Sequence, residues 1–166
     1  MVLRLTFLLF IFGLVPGVRS NHNVSAADGR FGNDNIVVTD GQVEEWLQRW
    51  QGRMGLDDWK VTVEIVRIWQ LDPHTLGHIR WSKSSRKATI KILNPLDYRI
   101  PKERILDDME LSVVHELVHL QLSVLPLDKS TRAVEEKVVA QLANTMIALD
   151  RRSSAPQLSQ AMPAGR

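Results

Sequence analysis

Two histidines four residues apart, with a glutamate beside the first, stand in the run HELVH as His115, Glu116 and His119. This is the one part of the sequence whose residue types and spacing name a chemistry. Residues four apart on a helix sit one above the other, so both imidazoles can reach a single Zn²⁺. A glutamate at the second position is then turned toward a water on that ion and can act as its base. The pattern predicts a metallopeptidase chemistry, in which one catalytic Zn²⁺ activates water and Glu116 is the general base. Three letters in a window of five recur by chance, so the flanks must carry the reading. They run DDMELSVVHELVHLQLSVLP, and Met109, Val113, Val114, Leu117, Val118, Leu120 and Leu122 spread as a largely buried helix would have them. Imidazole and carboxylate groups in such a helix are costly unless something pairs with them.

A catalytic zinc usually takes three protein ligands and keeps one position open, so two histidines leave the site one ligand short. No histidine follows His119 and the chain has no cysteine, so the third ligand is expected to be a carboxylate. The downstream candidates are Asp128, Glu135, Glu136 and Asp150. On a helical wheel Val138, Val139, Leu142, Met146 and Leu149 form one apolar face, and Glu135 falls at its centre. A glutamate there calls for a partner, which a zinc ion on the facing helix would supply. Glu135 is therefore the expected metal ligand. Glu136, displaced by about 100°, is either a solvated neighbour or the ligand if the helix is rotated. Asp128 reads as a turn or capping residue.

HELVH followed one short loop later by EEKVVAQLA resembles the gluzincin metallopeptidases, and the small size is similar to their minimal single-domain members, the minigluzincins. It also resembles peptidase domains of the ImmA/IrrE type. The resemblance covers roughly residues 40–150, and its specific part is the two helices that carry the motif and the glutamates. It implies a compact domain with zinc between those helices and a strand edge above them where a peptide could lie extended. It matches His115 and His119 to the histidine ligands, Glu116 to the catalytic glutamate, and Glu135 or Glu136 to the carboxylate ligand. Where small residues often follow the family's glutamate, this chain has Val138 and Val139.

The elements that would position these residues follow from periodicity. Thr39 or Asp40 can cap a helix through Val43, Trp46, Leu47 and Trp50 that stops near Gly52 to Gly55. Trp59, Val61, Val63 and Ile65 alternate with Lys60, Thr62 and Glu64, giving a strand with one buried face. GHIRWS is a second strand and KATIKIL a third, with a turn at 82–86 between them. The lysines of KATIKIL suit a sheet edge to which a substrate could add. A loop through Pro101 leads to the HELVH helix, whose start is expected at the acidic Asp107, Asp108 and Glu110. Pro126 ends it, and a last helix covers about 130–150. The fold class is α+β: a small three-stranded or slightly larger sheet packed by an N-terminal helix, the HELVH helix and a C-terminal helix. Trp46, Trp50 and Trp59 fall on buried faces, and Trp69 and Trp81 lie near strand ends where they could be exposed. Tyr98, His74 and His78 read as structural.

At 166 residues the chain has room for one domain. Residues 1–20 have the layout of a secretory signal peptide: Arg4, an apolar run from Leu5 to Val15, then Pro16, Gly17 and a small residue at Ser20. Cleavage is expected after Ser20, with Ala27 as the second choice. Residues 21–38 form a flexible lead-in, 39–150 the zincin-like domain, and 151–166 a disordered tail. Export by a Sec-type signal to the periplasm or the extracellular space is the implied location, and no stable membrane span is expected after cleavage. The overall charge of +2 is misleading, because Arg4, Arg19, Arg151, Arg152 and Arg166 lie in the leader and the tail. Without those five, 16 basic face 19 acidic side chains, a balance of −3 that does not suit a nucleic acid. The expected partner is a peptide or protein substrate. Two other classes fit the same composition, a catalytically inactive zinc-stabilised binding module and a metal-free exported interaction domain.

Overall fold

The computed structural model describes the backbone of residues 3–6, and residues 38–126 and 130–154. The rest of the expected leader, the lead-in as far as residue 37, Asp128 and the tail beyond residue 154 lie outside the described residues. Helix α1 (Asp40–Arg53) begins where expected, with the Thr39 hydroxyl accepting the Gln42 N–H, and buries Val43, Trp46, Leu47 and Trp50. Past Met54 the backbone turns at Gly55, whose φ of 63° lies in the left-handed region that glycine tolerates.

The sheet has the order β1-β3-β4-β2, from strands Leu3–Thr6, Lys60–Val66, Gly77–Ser82 and Lys87–Leu93 in chain order. Strands β3 and β4 form an antiparallel hairpin, β2 lies parallel to β4, and Leu3–Thr6 runs antiparallel along β3. Its alternation sorts side chains by face. Gly77, Ile79 and Trp81 of β3 pair with Ile92, Ile90 and Ala88 of β4 on the core side. Lys60, Thr62, Glu64, Lys87, Thr89, Lys91, Arg80 and Ser82 fall on the other side. Strand β4 is therefore interior to the sheet and not the edge expected from its lysines. Alternating lysines report a wet face as readily as a wet edge, and here Lys87 and Lys91 lie on the face.

Helix α2 (Lys102–Leu122) lies on the core side of β3 and β4, α1 packs against α2 and β2, and α3 (Arg132–Ser154) packs on α2. The expected α+β architecture is present, with one mixed sheet and three α-helices among the described residues. Helix α2 starts at Lys102, more than a turn before the expected acidic start. The acids further in have specific partners instead of a helix end. Glu110 accepts the Trp50 indole N–H at 2.8 Å, and Asp107 pairs with Arg151 at 2.8 Å. Helix α3 runs through Ser154, so residues 151–154 of the expected tail are helical. The Arg151 pair and the favourable placing of Arg151 and Arg152 at a helix C-terminus account for the extra turn.

The buried face of α3 also differs from expectation. Glu135, Val139, Ala143 and Ile147 are buried, while Val138, Leu142 and Leu149 are exposed. At 100° per residue the helix is turned by roughly 70° from the expected wheel. Ala143 is fully buried, and a side chain of that size lets α3 approach α2 closely. Among the tryptophans Trp46, Trp50 and Trp59 are buried as expected. Trp81 is buried with them on the core side of β3, and Trp69 is 70% exposed beneath the Arg67 guanidinium. No helix among the described residues is long and apolar enough to cross a membrane.

Candidate metal centre

From Ser112 to Leu120 every residue of α2 is buried, because the helix is enclosed by the sheet on one side and by α1 and α3 on others. The HELVH residues therefore stand inside the core, where unpaired polar groups are most costly. The i,i+4 spacing brings the His115 and His119 rings together edge to face, with their Nε2 atoms 3.1 Å apart. Across from them the rotated α3 brings in Glu136, whose Oε2 lies 3.5 Å from each Nε2. Three potential ligand atoms thus meet at one point in a triangle with edges of 3.1, 3.5 and 3.5 Å.

Those edges test the fit of a metal. A tetrahedral zinc site with bonds of about 2.0–2.1 Å to nitrogen and oxygen separates its ligands by about 3.3 Å. The triangle has that size, and its donors, two imidazoles and a carboxylate, are those of a catalytic zinc with one position left over.

Glu135, the ligand expected from the sequence, does not join the triangle. It lies on the far side of His119, its Oε1 3.1 Å from Nδ1. There it accepts the Nδ1–H and so holds the ring with the Nε2 lone pair toward His115 and Glu136. The exchange of roles follows from the rotation of α3. The buried face is centred between the two glutamates, so both point inward and each meets a different nitrogen. A wheel that had weighted Ala143 and Ile147 with Val139 would have pointed to Glu136.

The electrostatics follow from burial and from these pairings. Burial pushes the His115 imidazole down to about 4, against the opposing pull of Glu136, so the ring is neutral and available as a ligand at neutral pH. Burial alone would raise Glu136, but the His115 and His119 imidazoles, each 3.5 Å from its Oε2, outweigh that and hold it at about 2. Glu116 is 1% exposed, and burial first, then the charge of Glu136, raises its carboxyl well above the usual range. Neither Glu116 oxygen has a hydrogen-bond partner among the described residues. A buried carboxyl without a hydrogen-bond partner is unfavourable in a purely structural role.

The sequence did not point to Gly77, the first residue of β3, which abuts this carboxylate. A Cβ built on Gly77 would lie 2.6 Å from Glu116 Oε1. The other residues near strand ends stand apart from the cluster. His78 accepts from the Arg80 Nε–H at 3.1 Å and faces Asp72 at 4.0 Å, and His74 is an exposed residue with φ 64° in the loop before β3. Tyr98 is buried beside Asp108 and Ser112, with its hydroxyl pKa raised by burial and then by the Asp108 charge. No protein-family model matches the chain, and neither the curated proteins nor the solved structures yield a match.

Proposed function

We propose that this protein is a zinc-dependent metallopeptidase of gluzincin type, with His115, His119 and Glu136 as ligands and Glu116 as general base. The observation that carries the reading is the triangle of three donor atoms at zinc-site spacing, drawn from two helices, with an unpartnered buried glutamate beside it. His115, His119 and Glu136 would hold the zinc, which when bound would supply Lewis-acid chemistry for a carbonyl and for a water. Glu116 would take the proton of the attacking water and hand it to the leaving amine. Glu135 keeps the His119 ring in the tautomer whose Nε2 carries the lone pair. The signal-like layout of residues 1–20 supports a reading in which this chemistry acts outside the cytoplasm on a peptide or protein.

The test is metal analysis of the purified full chain together with hydrolysis of a quenched-fluorescent peptide library. The expected result is one zinc per chain and cleavage by the wild type, with Glu116→Gln keeping the zinc and losing roughly 10²–10⁴-fold in rate. Failure to take up zinc on titration would end the proposal. A zinc-loaded protein that cleaves nothing, and whose Glu116→Gln variant behaves as wild type throughout, would instead be a zinc-stabilised binding module.

A further inference from the structure

We infer that Gly77 is the positioning residue for Glu116: the missing side chain at the start of β3 is the seat of the catalytic carboxyl. This rests on the reading of Glu116 as the general base. The residues around position 77 locate the seat. Gly77, Ile79 and Trp81 share the face of β3 that meets α2, and Ile79 and Trp81 fill it with large buried side chains. At position 77 the same face carries nothing, and the Glu116 side chain enters the space. A Cβ there would lie 2.6 Å from Oε1 and 3.3 Å from both Cδ and Cγ, so it would meet the side chain along its outer length. No hydrogen bond among the described residues tethers the Glu116 oxygens, so what resists a shift of the carboxyl is its enclosure in the core, where the residue is 1% exposed.

Gly77 has no left-handed φ, so backbone freedom does not explain a glycine here. It pairs in register with Ile92 of β4, where a side chain is ordinarily worth more than none. The explanation left is space. Strand β3 packs on α2 at this point, and the notch at residue 77 is the space that the Glu116 side chain occupies. A methyl group in the notch meets Glu116 first, since the three atoms nearest to it all belong to that side chain, and it drives the carboxyl out of its seat. A displacement on the order of 1 Å of a group that must meet a proton costs about 10²-fold in rate.

The experiment is a thermal double-mutant cycle on the full chain, supported by kinetics. Gly77→Ala is made in the wild type and in Glu116→Ala, and the melting temperature of all four proteins is measured with zinc removed. Gly77→Ala should lower the melting temperature by roughly 5–15 °C in the wild type, the range expected for an overpacked core site. It should have little or no effect where residue 116 is alanine. If Gly77→Ala fails to fold while the double variant folds, the coupling stands in its strongest form. An equal loss in both backgrounds, or failure of both to fold, overturns the inference, because residue 77 would then matter for the strand alone. In the zinc-loaded enzyme Gly77→Ala should keep one zinc per chain and an unchanged KM while kcat falls about 10²-fold. Unchanged kcat in a folded variant also overturns it. A chain that binds no zinc and cleaves nothing removes the proposed function, whereas the thermal cycle still reads whether the Glu116 side chain occupies the notch.

Discussion

The two adjacent glutamates of α3 divide the work at the candidate site by which histidine nitrogen each one meets. Glu136 faces both Nε2 atoms, and Glu135 faces Nδ1 of His119 alone. Removing a ligand and removing a ring-orienting partner have different costs. The loss of an outer partner typically lowers metal affinity by 10–100-fold, and the loss of one of three direct ligands should exceed that. Competition titration with a chromophoric zinc chelator should therefore rank Glu136→Gln well below Glu135→Gln, with the Glu135 variant about 10–100-fold weaker than wild type. The reverse order would restore Glu135 as the ligand. His115, Glu116 and His119 were legible in the sequence because a fixed i,i+4 spacing on one helix needs no tertiary information. The choice between neighbouring glutamates needed the rotation of a second helix, which lies outside the motif.

That rotation is the main element-scale difference between sequence and structure. The apolar residues of α3 form a broad band, and Val138, Leu142 and Leu149 are as hydrophobic as the residues that are actually buried. Hydrophobic periodicity alone could not decide between two faces roughly 70° apart. Packing decides in favour of the face with Ala143, because close approach to α2 requires a small residue at the crossing. The difference is measurable by denaturant unfolding. Ile147→Ala, at a buried position, should cost about 2–4 kcal/mol. Leu142→Ala, at a position 42% exposed, should cost under about 1 kcal/mol. Comparable costs at the two positions would return α3 to the expected wheel and withdraw Glu136 from the cluster. The strands were read more easily. Their period of two sorts faces without ambiguity, and β2, β3 and β4 lie where alternation and turn residues predicted. Their order in the sheet was not legible, because alternation carries no information about which strand is the neighbour, and so β4 was expected at an edge that it does not occupy.

For the whole molecule, the site is a polar cluster inside a core that no disulfide reinforces, so a bound metal would contribute to folding as well as to chemistry. Ligand that binds only the folded chain stabilises it by about 4 kcal/mol at a thousand times its dissociation constant. Chelation should lower the melting temperature accordingly, and Glu136→Gln should be insensitive to chelator at the same zinc concentration. The pH dependence of that difference follows from two opposed groups. His115 has its folded pKa lowered to about 4, so as pH falls below the unfolded value of about 6.5 the unfolded chain takes up a proton that the folded chain refuses, and metal-free stability drops. Glu116 has its folded pKa raised, so above the unfolded value of about 4.3 the folded chain keeps a proton that the unfolded chain has released, and metal-free stability falls as pH rises. The two effects oppose each other between about 4.3 and 6.5, and above that window the His115 effect is complete while that of the raised carboxyls, Glu116 and to a lesser degree the less buried Asp108, is left. Bound zinc would offset it by supplying positive charge beside the carboxyl. The gap in melting temperature between zinc-loaded and chelated protein should therefore widen as pH rises above about 6.5. In Glu116→Gln the decline of the metal-free form should be smaller than in the wild type. A chelated wild type that holds its melting temperature as pH rises would mean that burial does not hold the Glu116 carboxyl protonated, and the proposed base would have to be sought elsewhere.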